Sequence, residues 1–237
     1  MKFSKHLKYY NGRLIPKNKK SKDKLRKYKV SFYYLEPDRF ETLKFAQEIH
    51  KEGTILMDPI EICQLAMLVR NTSKIEGDIA EIGVFKGGSA KVICQYKNDR
   101  ELHLIDTFEG LPKTSSVDRN EVNNVSYAKG QYKADIARVK KYLQQYSNVK
   151  IYKRKFPENS KDLEGKNFSF VHLDLDLYQS TYDCLQFFYY RMSKGGVILT
   201  HDYQNAFGVR KAFDTFFADK PEIIIELACS QAIVVKI

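Results

Sequence analysis

The 237-residue chain has no tryptophan, only four cysteines and no long run of apolar residues. The cysteines include no C-x-x-C pair, so the clustered spacing of a zinc site or a disulfide framework is missing. No stretch approaches the roughly 20 apolar residues of a membrane-spanning helix, and no apolar run follows the N-terminal charges as in a secretory signal. These absences predict a cytoplasmic protein with reduced thiols and no membrane span.

Acidic residues are scarce in the first 29 residues, which contain twelve lysines and arginines and one acid, Asp23. The rest of the chain holds 28 basic and 28 acidic residues, so the whole net charge of +11 lies in this arm. Because like charges repel one another, we predict that residues 1–29 form a flexible basic arm. There are two alternatives. The arm could bind an anionic partner, such as nucleic acid, acidic lipid or a phosphorylated substrate, or it could fold over the body as a lid.

The remainder divides into a helical segment and an alternating one. Residues 30–76 are predicted to form a helical extension or lid, with helices over Asp38–His50 and Asp58–Arg70. From residue 77 to 237, short apolar strands alternate with amphipathic helices, which is typical of an α/β domain whose parallel sheet has helices on both faces. The last two strands, Ile223–Leu227 and Ala232–Ile237, are only four residues apart and must form an antiparallel hairpin at one edge.

A glycine-rich turn follows the first strand of this domain, in the stretch from Glu81 to Ser89. Gly83 permits a tight turn, and Gly87 and Gly88 leave the following helix N-terminus open to a polar ligand. A plain structural turn is the alternative. The stretch lacks the G-x-G-x-x-G pattern of a pyrophosphate cradle, and the carboxylate of Glu81 suits a ligand with an ammonium group. Asp106, at the tip of the next strand, is placed to accept the two hydroxyls of a ribose.

Acidic residues also end the two strands further along the chain. Asp174 and Asp176 follow a buried strand, and His201 and Asp202 follow the next one. Since neighbouring parallel strands end at the same edge, Asp174 is expected to meet His201 or Asp202, and this donor set suits Mg²⁺, Mn²⁺ or Fe²⁺. Asp176 alone is also explained as a cap of the helix near Ser180. The other four histidines are interpreted as structural.

One long segment without periodicity, Thr107–Lys133, leaves the carboxyl end of the second strand of the domain. Loops of this length in compact domains are usually functional or disordered. We predict a lid or substrate loop, with disorder in the free protein as the alternative.

Four motifs in this order resemble the macrocin O-methyltransferase (TylF-like) family. They are Glu81-x-Gly-x-x-x-Gly-x-Ser, Asp106-Thr-Phe-Glu-Gly-Leu-Pro112, Leu173-Asp-Leu-Asp-Leu-Tyr-Gln-Ser-Thr181 and Gly195-Gly…His201-Asp-Tyr203…Gly208-Val-Arg-Lys-Ala212. The resemblance covers roughly residues 55–237. It implies a Rossmann-like, doubly wound, seven-stranded methyltransferase sheet with a terminal hairpin. It also implies O-methylation of a hydroxyl, often on a sugar, assisted by Mg²⁺.

The resemblance implies roles for individual residues as well. Glu81, Gly83 and Ser89 would surround the methionine part of S-adenosylmethionine, and Asp106 would hold its ribose. Gly87 is counted with them as a cofactor-binding residue. Asp174 and Asp202 match the metal-ligand positions. The family often has two consecutive acids where this chain has His201-Asp202, and His201 is kept as a third ligand because a histidine can still ligate. Asp174 or His201 would accept the proton of the hydroxyl.

Two other functions compete with this hypothesis. Asp174 and Asp176 could form the metal and nucleotide-sugar clamp of a glycosyltransferase, which leaves Glu81 and its glycine turn unexplained. A nucleic-acid-binding module that acts through the basic arm ranks third, because the neutral body offers no second basic patch. A carbohydrate hydroxyl is therefore the expected partner, and a homo-oligomer is a further expectation.

Overall fold

The computed structural model describes residues 7–10, 13–16, 19, 37–119, 127–227 and 229–237. The chain divides into two compact units, one ending at Gln64 and the other spanning Leu65–Ile237. In these described ranges, no helix combines the length and the apolar character needed to cross a bilayer. The division into arm, helical extension and catalytic domain at residues 29 and 76 stays a prediction.

The basic arm contains two short strands, β1 (Leu7–Tyr10) and β2 (Arg13–Pro16), which pair antiparallel. The sequence between them is Asn11-Gly12, a favoured pair for a two-residue hairpin connection. The flexible basic arm over residues 1–29 stays a prediction. Except for Lys19, the other positions of the arm lie outside the described residues.

Two helices follow, α1 (Pro37–Glu52) and α2 (Pro59–Asn71), close to the predicted bounds. Asp58 caps α2, because its Oδ1 accepts the N–H groups of Ile60 at 2.7 Å and Glu61 at 3.1 Å. Pro59 occupies the first helical position, where its missing N–H costs nothing. The capping signal in the sequence therefore predicted the start of α2 correctly.

The second unit is built on a seven-stranded sheet with the strand order β5-β4-β3-β6-β7-β9-β8. Strands β3 to β7 run parallel, and β9 pairs antiparallel with both β7 and β8. The predicted parallel sheet with a terminal antiparallel hairpin is confirmed. The strands are β3 (Asp78–Ile82), β4 (Leu102–Asp106), β5 (Val149–Lys153), β6 (Phe168–Leu173), β7 (Met192–Thr200), β8 (Ile225–Glu226) and β9 (Ala232–Val235).

Four helices connect these strands: α3 (Gly88–Tyr96), α4 (Ile136–Leu143), α5 (Tyr178–Phe188) and α6 (Phe207–Phe217). The predicted helix over Ala134–Tyr146 is wrong at both ends. Asp135 is the N-cap residue and its side chain accepts the N–H of Ala137, so α4 begins only at Ile136. The polar cap fixes the helix start more strongly than the hydrophobic period does.

The core lies on both faces of the central strands. Side chains of α5 and α6 pack with Ala80 and Ile82 of β3 on one face. Alternate residues of a strand point to opposite faces, so Glu81 lies on the other face, which α3 covers. All six residues of β6 are buried, as expected for a central parallel strand covered on both sides.

Candidate active site

The strand register brings the acidic segments together at the carboxyl edge of the sheet. Leu173 pairs with Ile82 on one side and with Thr200 on the other, so Asp174 and His201 are the next residues of adjacent strands. The backbone bonding continues past the strand ends, where the N–H of His201 donates to the carbonyl of Leu173 at 2.9 Å. The predicted meeting of these strand ends is confirmed.

Asp174, His201 and Asp202 form a compact cluster at this edge. Nδ1 of His201 lies 3.3 Å from Oδ1 of Asp174 and 3.0 Å from Oδ2 of Asp202. One donor atom from each of the three residues lies within 4.8 Å of the others. Asp202 adopts a left-handed φ of +57°, which is uncommon for a residue with a side chain and which turns its carboxylate back toward the histidine.

Asp176 belongs to the same cluster and does not cap a helix. Its backbone has a φ of +60°, its side chain is 8% exposed, and α5 begins at Tyr178 with Leu177 as N-cap. Burial raises the pKa of Asp176, and the charges of Asp174 and Asp202 raise that pKa further. The alternative that Asp176 caps the following helix is wrong, because the first N–H of α5 is bonded by another acid, Asp118.

The donor chemistry of the cluster fits a divalent cation. Two carboxylates and an imidazole are ligands for Mg²⁺, Mn²⁺ or Fe²⁺, and a bound cation would relieve the mutual repulsion that raises the pKa of Asp176. A second group of acids with a histidine, Asp78, Glu101 and His103, lies at the amino edge of the sheet. There the ammonium of Lys166 already bonds both carboxylates, at 2.7 and 2.9 Å, so this second cluster is neutralised by the chain itself.

Glu81 is fully buried and paired with a histidine. Its Oε1 lies 2.9 Å from Nδ1 of His172, the residue beside it on β6. Burial raises the pKa of Glu81, while His172 and Ser89 act to lower that pKa. Oε2 of Glu81 and Nε2 of His172 have no hydrogen-bonding partner among the described residues. Buried polar atoms without a partner of this kind fit a bound polar group such as the cofactor ammonium.

The glycines of the turn are close to other parts of the chain. A Cβ atom at Gly83, where φ is +90°, would clash with the carbonyl oxygen of Asp174. Gly87 has a φ of +86°, and a Cβ atom there would lie 3.2 Å from Val139 of α4. Both glycines are therefore explained by backbone conformation and packing, and their contact with a cofactor stays a prediction.

Asp106 closes the same turn. Its Oδ2 accepts the N–H groups of Val84 at 2.8 Å and Phe85 at 2.9 Å, and its Oδ1 accepts the N–H of Phe108 at 2.7 Å. A carboxylate offers about four lone-pair sites, and three of them are in use. Asp106 thus holds the turn in shape, while its predicted contact with ribose hydroxyls stays a prediction.

The described parts of the long loop, residues 107–119 and 127–133, are hydrogen-bonded to each other. The N–H of Leu111 donates to Gln131 and the N–H of Gly130 donates to Leu111, both at 2.8 Å. Tyr127 hydrogen-bonds to Asp176, and the pKa of Tyr127 is raised by burial and by that neighbouring charge. The loop therefore reaches the acid cluster, and its role as a lid or substrate loop stays a prediction.

The sequence interpretation missed three residues of this region. His172 was assigned a structural role, because the strand register that sets it beside Glu81 is visible only in the folded sheet. Tyr127 and Asp118 lie in a segment without periodicity, so no local pattern indicated that they contact the residues after Asp174.

The order of the strands, the terminal hairpin and the polar carboxyl edge define a class of protein. Solved structures with the same architecture include the O-methyltransferase NovP, with a TM-score of 0.62 and 20% identity over 77% of this chain and 81% of that one. The calicheamicin methyltransferase CalS11 matches with a TM-score of 0.61 and 16% identity over 85% and 94% of the two chains. The fold is that of the Rossmann-like methyltransferases.

A sequence profile of the macrocin O-methyltransferase (TylF) family matches residues 54–227, and the chain belongs to this family. A 4′-O-methyltransferase of Streptomyces olivaceus that acts on 8-demethyl-8-(2,3-dimethoxy-α-L-rhamnosyl)-tetracenomycin C is 28% identical over 64% of this chain. Mycinamicin III 3″-O-methyltransferase of Micromonospora griseorubida is 28% identical over 54% of it. The matched parts are 61% and 56% of these relatives, so the chain spans about three fifths of their length.

Proposed function

We propose that the chain is an S-adenosylmethionine-dependent O-methyltransferase that methylates a hydroxyl of a sugar or a glycosylated small molecule, with help from a divalent cation. One observation carries the proposal: Asp174, His201 and Asp202 meet at the sheet edge that also holds the turn after the buried Glu81. The charge of Asp174 contributes to the raised pKa of Glu81, so the two parts of the site are neighbours.

Glu81, Gly83, Gly87, Ser89 and Asp106 are proposed to bind the cofactor. Support comes from Oε2 of Glu81, which has no hydrogen-bonding partner in the described part of the chain and would accept a hydrogen bond from an ammonium group. An O-methyltransferase of Bacillus cereus whose structure was solved in complex with SAH shares the fold, with a TM-score of 0.57 and 14% identity over 90% of this chain and 97% of that one.

Asp174, His201 and Asp202 are the proposed metal ligands. When bound, the cofactor supplies a sulfonium-activated methyl group, and the cation lowers the pKa of the acceptor hydroxyl. Asp174 or His201 is proposed to take the hydroxyl proton, and the support is that each has a proton-accepting atom within the cluster. Fixing the hydroxyl oxygen in line with the methyl carbon would account for a further part of the rate.

The sugar acceptor is proposed from the relatives' names. Two of them, from Streptomyces olivaceus and Micromonospora griseorubida, are named as 4′- and 3″-O-methyltransferases of glycosylated compounds. A structure of CalS11 is titled a TDP-rhamnose 3′-O-methyltransferase. Rhamnosylated small molecules and nucleotide-linked deoxysugars are therefore the first acceptors to screen.

The test combines calorimetry with an acceptor screen. We expect the native chain to bind S-adenosylhomocysteine, and Asp202→Asn to lower kcat about 100-fold or more while leaving that binding unchanged. Asp219→Asn is the control, because this acid is exposed and pairs with Lys220 outside the cluster. Absence of S-adenosylhomocysteine binding would contradict the methyltransferase function. Full activity of Asp202→Asn, with and without chelator, would contradict the metal role alone.

The two competing functions are outcomes of the same screen. Binding of a UDP-sugar in place of S-adenosylhomocysteine would favour a glycosyltransferase that uses Asp174 and Asp176. Salt-dependent binding of nucleic acid that disappears when residues 1–29 are deleted would favour the basic arm as the functional part. Most of that arm lies outside the described residues.

A cytoplasmic location and a homo-oligomer complete the proposal. In the described chain no disulfide joins any of the four cysteines, which agrees with a reducing compartment. Tyr190, at the end of the aromatic run 187–190, is 75% exposed, whereas Phe188 is fully buried. Sedimentation of the native chain and of Tyr190→Ser would show whether this side chain contributes to association.

A further inference from the structure

Asp118 is a buried acid of the loop between β4 and α4, and only 7% of it is exposed. Its Oδ2 accepts the N–H of Ser115 at 2.8 Å and the hydroxyl of Ser115 at 2.7 Å. Its Oδ1 accepts the N–H of Tyr178 at 2.7 Å, across 60 residues of chain. Both carboxylate oxygens are therefore used to join two distant segments.

The second segment is the one that carries the acids. Tyr178 is the first residue of α5, two residues after Asp176 and four after Asp174, and Leu177 before it makes no side-chain cap. The N–H of Leu177 donates to the carbonyl of Leu175 at 2.7 Å, which closes a tight turn at residues 175–177, in the middle of the segment 174–178. Asp118 supplies the missing cap and places a negative charge at the positive end of α5.

A glycine of α6 makes room for this contact. A Cβ atom at Gly208 would lie 2.5 Å from Oδ1 of Asp118 and 2.8 Å from the backbone nitrogen of Tyr178. Alanine is the better helix former, and Gly208 has no left-handed φ that would call for glycine. Space for the Asp118–Tyr178 bond is thus the reason for glycine at this position.

We propose that Asp118 is a positioning residue, which holds the segment 174–178 so that Asp174 and Asp176 keep their places in the acid cluster. The inference rests on the proposed function, since it takes this cluster as the site of the cation and the acceptor hydroxyl. Asp118 acts through the backbone of Tyr178 and bonds no residue of the cluster itself in the contacts of the described chain.

Two variants test the inference by different routes. Asp118→Ala removes the acceptor, and Gly208→Ala keeps every partner but fills the space. The full-length chain is titrated calorimetrically with Mn²⁺ alone and, separately, with S-adenosylhomocysteine. We expect both variants to bind Mn²⁺ at least 10-fold more weakly and S-adenosylhomocysteine within two-fold of the native chain.

Asp135→Ala is the matched control, because Asp135 caps α4 in the same way and bonds the N–H of Ala137 at 2.9 Å. It is expected to lower the melting temperature without changing the affinity for Mn²⁺. If Asp118→Ala does not fold, Gly208→Ala carries the test.

Each other outcome points to a different failure. Unchanged Mn²⁺ affinity in a folded variant, or equal losses for both ligands, would overturn the positioning role. A native chain that binds S-adenosylhomocysteine but not Mn²⁺ would refute the metal site and the positioning role with it. A native chain that binds neither ligand would refute the proposed function as a whole.

Discussion

At Gly83 the backbone has a φ of +90°, and any side chain would meet the carbonyl oxygen of Asp174. This contact joins the turn after β3 to the residue that follows β6. The sequence predicted a tight turn at this glycine, because the chain must bend sharply where the strand ends. That the neighbour is the chain's own backbone became visible only in the folded molecule.

Gly83→Ala is expected to lower the free energy of unfolding by about 3 kcal/mol or more, because the left-handed strain and the clash add together. Gly195→Ala is the control at a similar φ of +80°, where the added Cβ would lie at an ordinary 3.4 Å from Ile75. We expect about 1 kcal/mol there, from backbone strain alone. Urea unfolding measures both, and equal losses would show that the clash is relieved by relaxation.

At the scale of elements, the central strands β3 and β6 are joined by a buried polar pair. Glu81 and His172 are both fully buried and face each other in register. A buried acid is tolerated only when it is hydrogen-bonded or paired. The pair therefore favours this register of β3 and β6 on the face that α3 covers. Among the described residues, one polar atom of each side chain has no partner and is available to a ligand.

Removing both partners of this pair is expected to cost less than the two single removals added together. His172→Leu should destabilise the chain by roughly 3–5 kcal/mol, since it leaves Glu81 buried alone, whereas the double variant Glu81→Leu/His172→Leu should lose less than the sum of the single changes. Denaturant unfolding of the four proteins gives the coupling. Additive losses would mean that the two side chains do not stabilise each other.

At the scale of the whole second unit, the two edges of the sheet differ in the partners of their acidic side chains. At the carboxyl edge, Asp174, Asp176 and Asp202 are held close together around a single imidazole. At the amino edge, Lys150 and Lys166 bond Glu101 and lower its pKa to about 2. In the described sheet, lysines therefore bond the acids of the amino edge, whereas the acids of the carboxyl edge lie beside one another and a histidine.

The amino edge predicts a pH dependence of stability. An acid whose pKa is lowered by folding stabilises the native state above its ordinary pKa near 4.3, and this contribution is lost as the pH falls toward about 2. Glu101→Gln should therefore flatten the fall in unfolding free energy between about pH 4.5 and 2. Glu158→Gln, which removes an exposed acid paired with Lys155, is the control. A slope equal to that of the native chain in Glu101→Gln would contradict the linkage.

Local patterns in the sequence determined much of this protein. Hydrophobic periods and caps predicted the alternating strands and helices, and the short final connection predicted the antiparallel hairpin. Parallel strands end at one edge, so even the meeting of Asp174 with His201 could be predicted. Each of these predictions uses only the residues that are close along the chain or a general rule of sheet geometry.

The tertiary structure alone decided the contacts made by side chains far apart in sequence. Glu81 meets His172 across 91 residues, and Asp118 reaches the start of α5 across 60. These contacts depend on strand register and on the path of an aperiodic loop. The register and the loop path are set by the packing of the whole unit, because no local sequence preference specifies which distant residue becomes the partner.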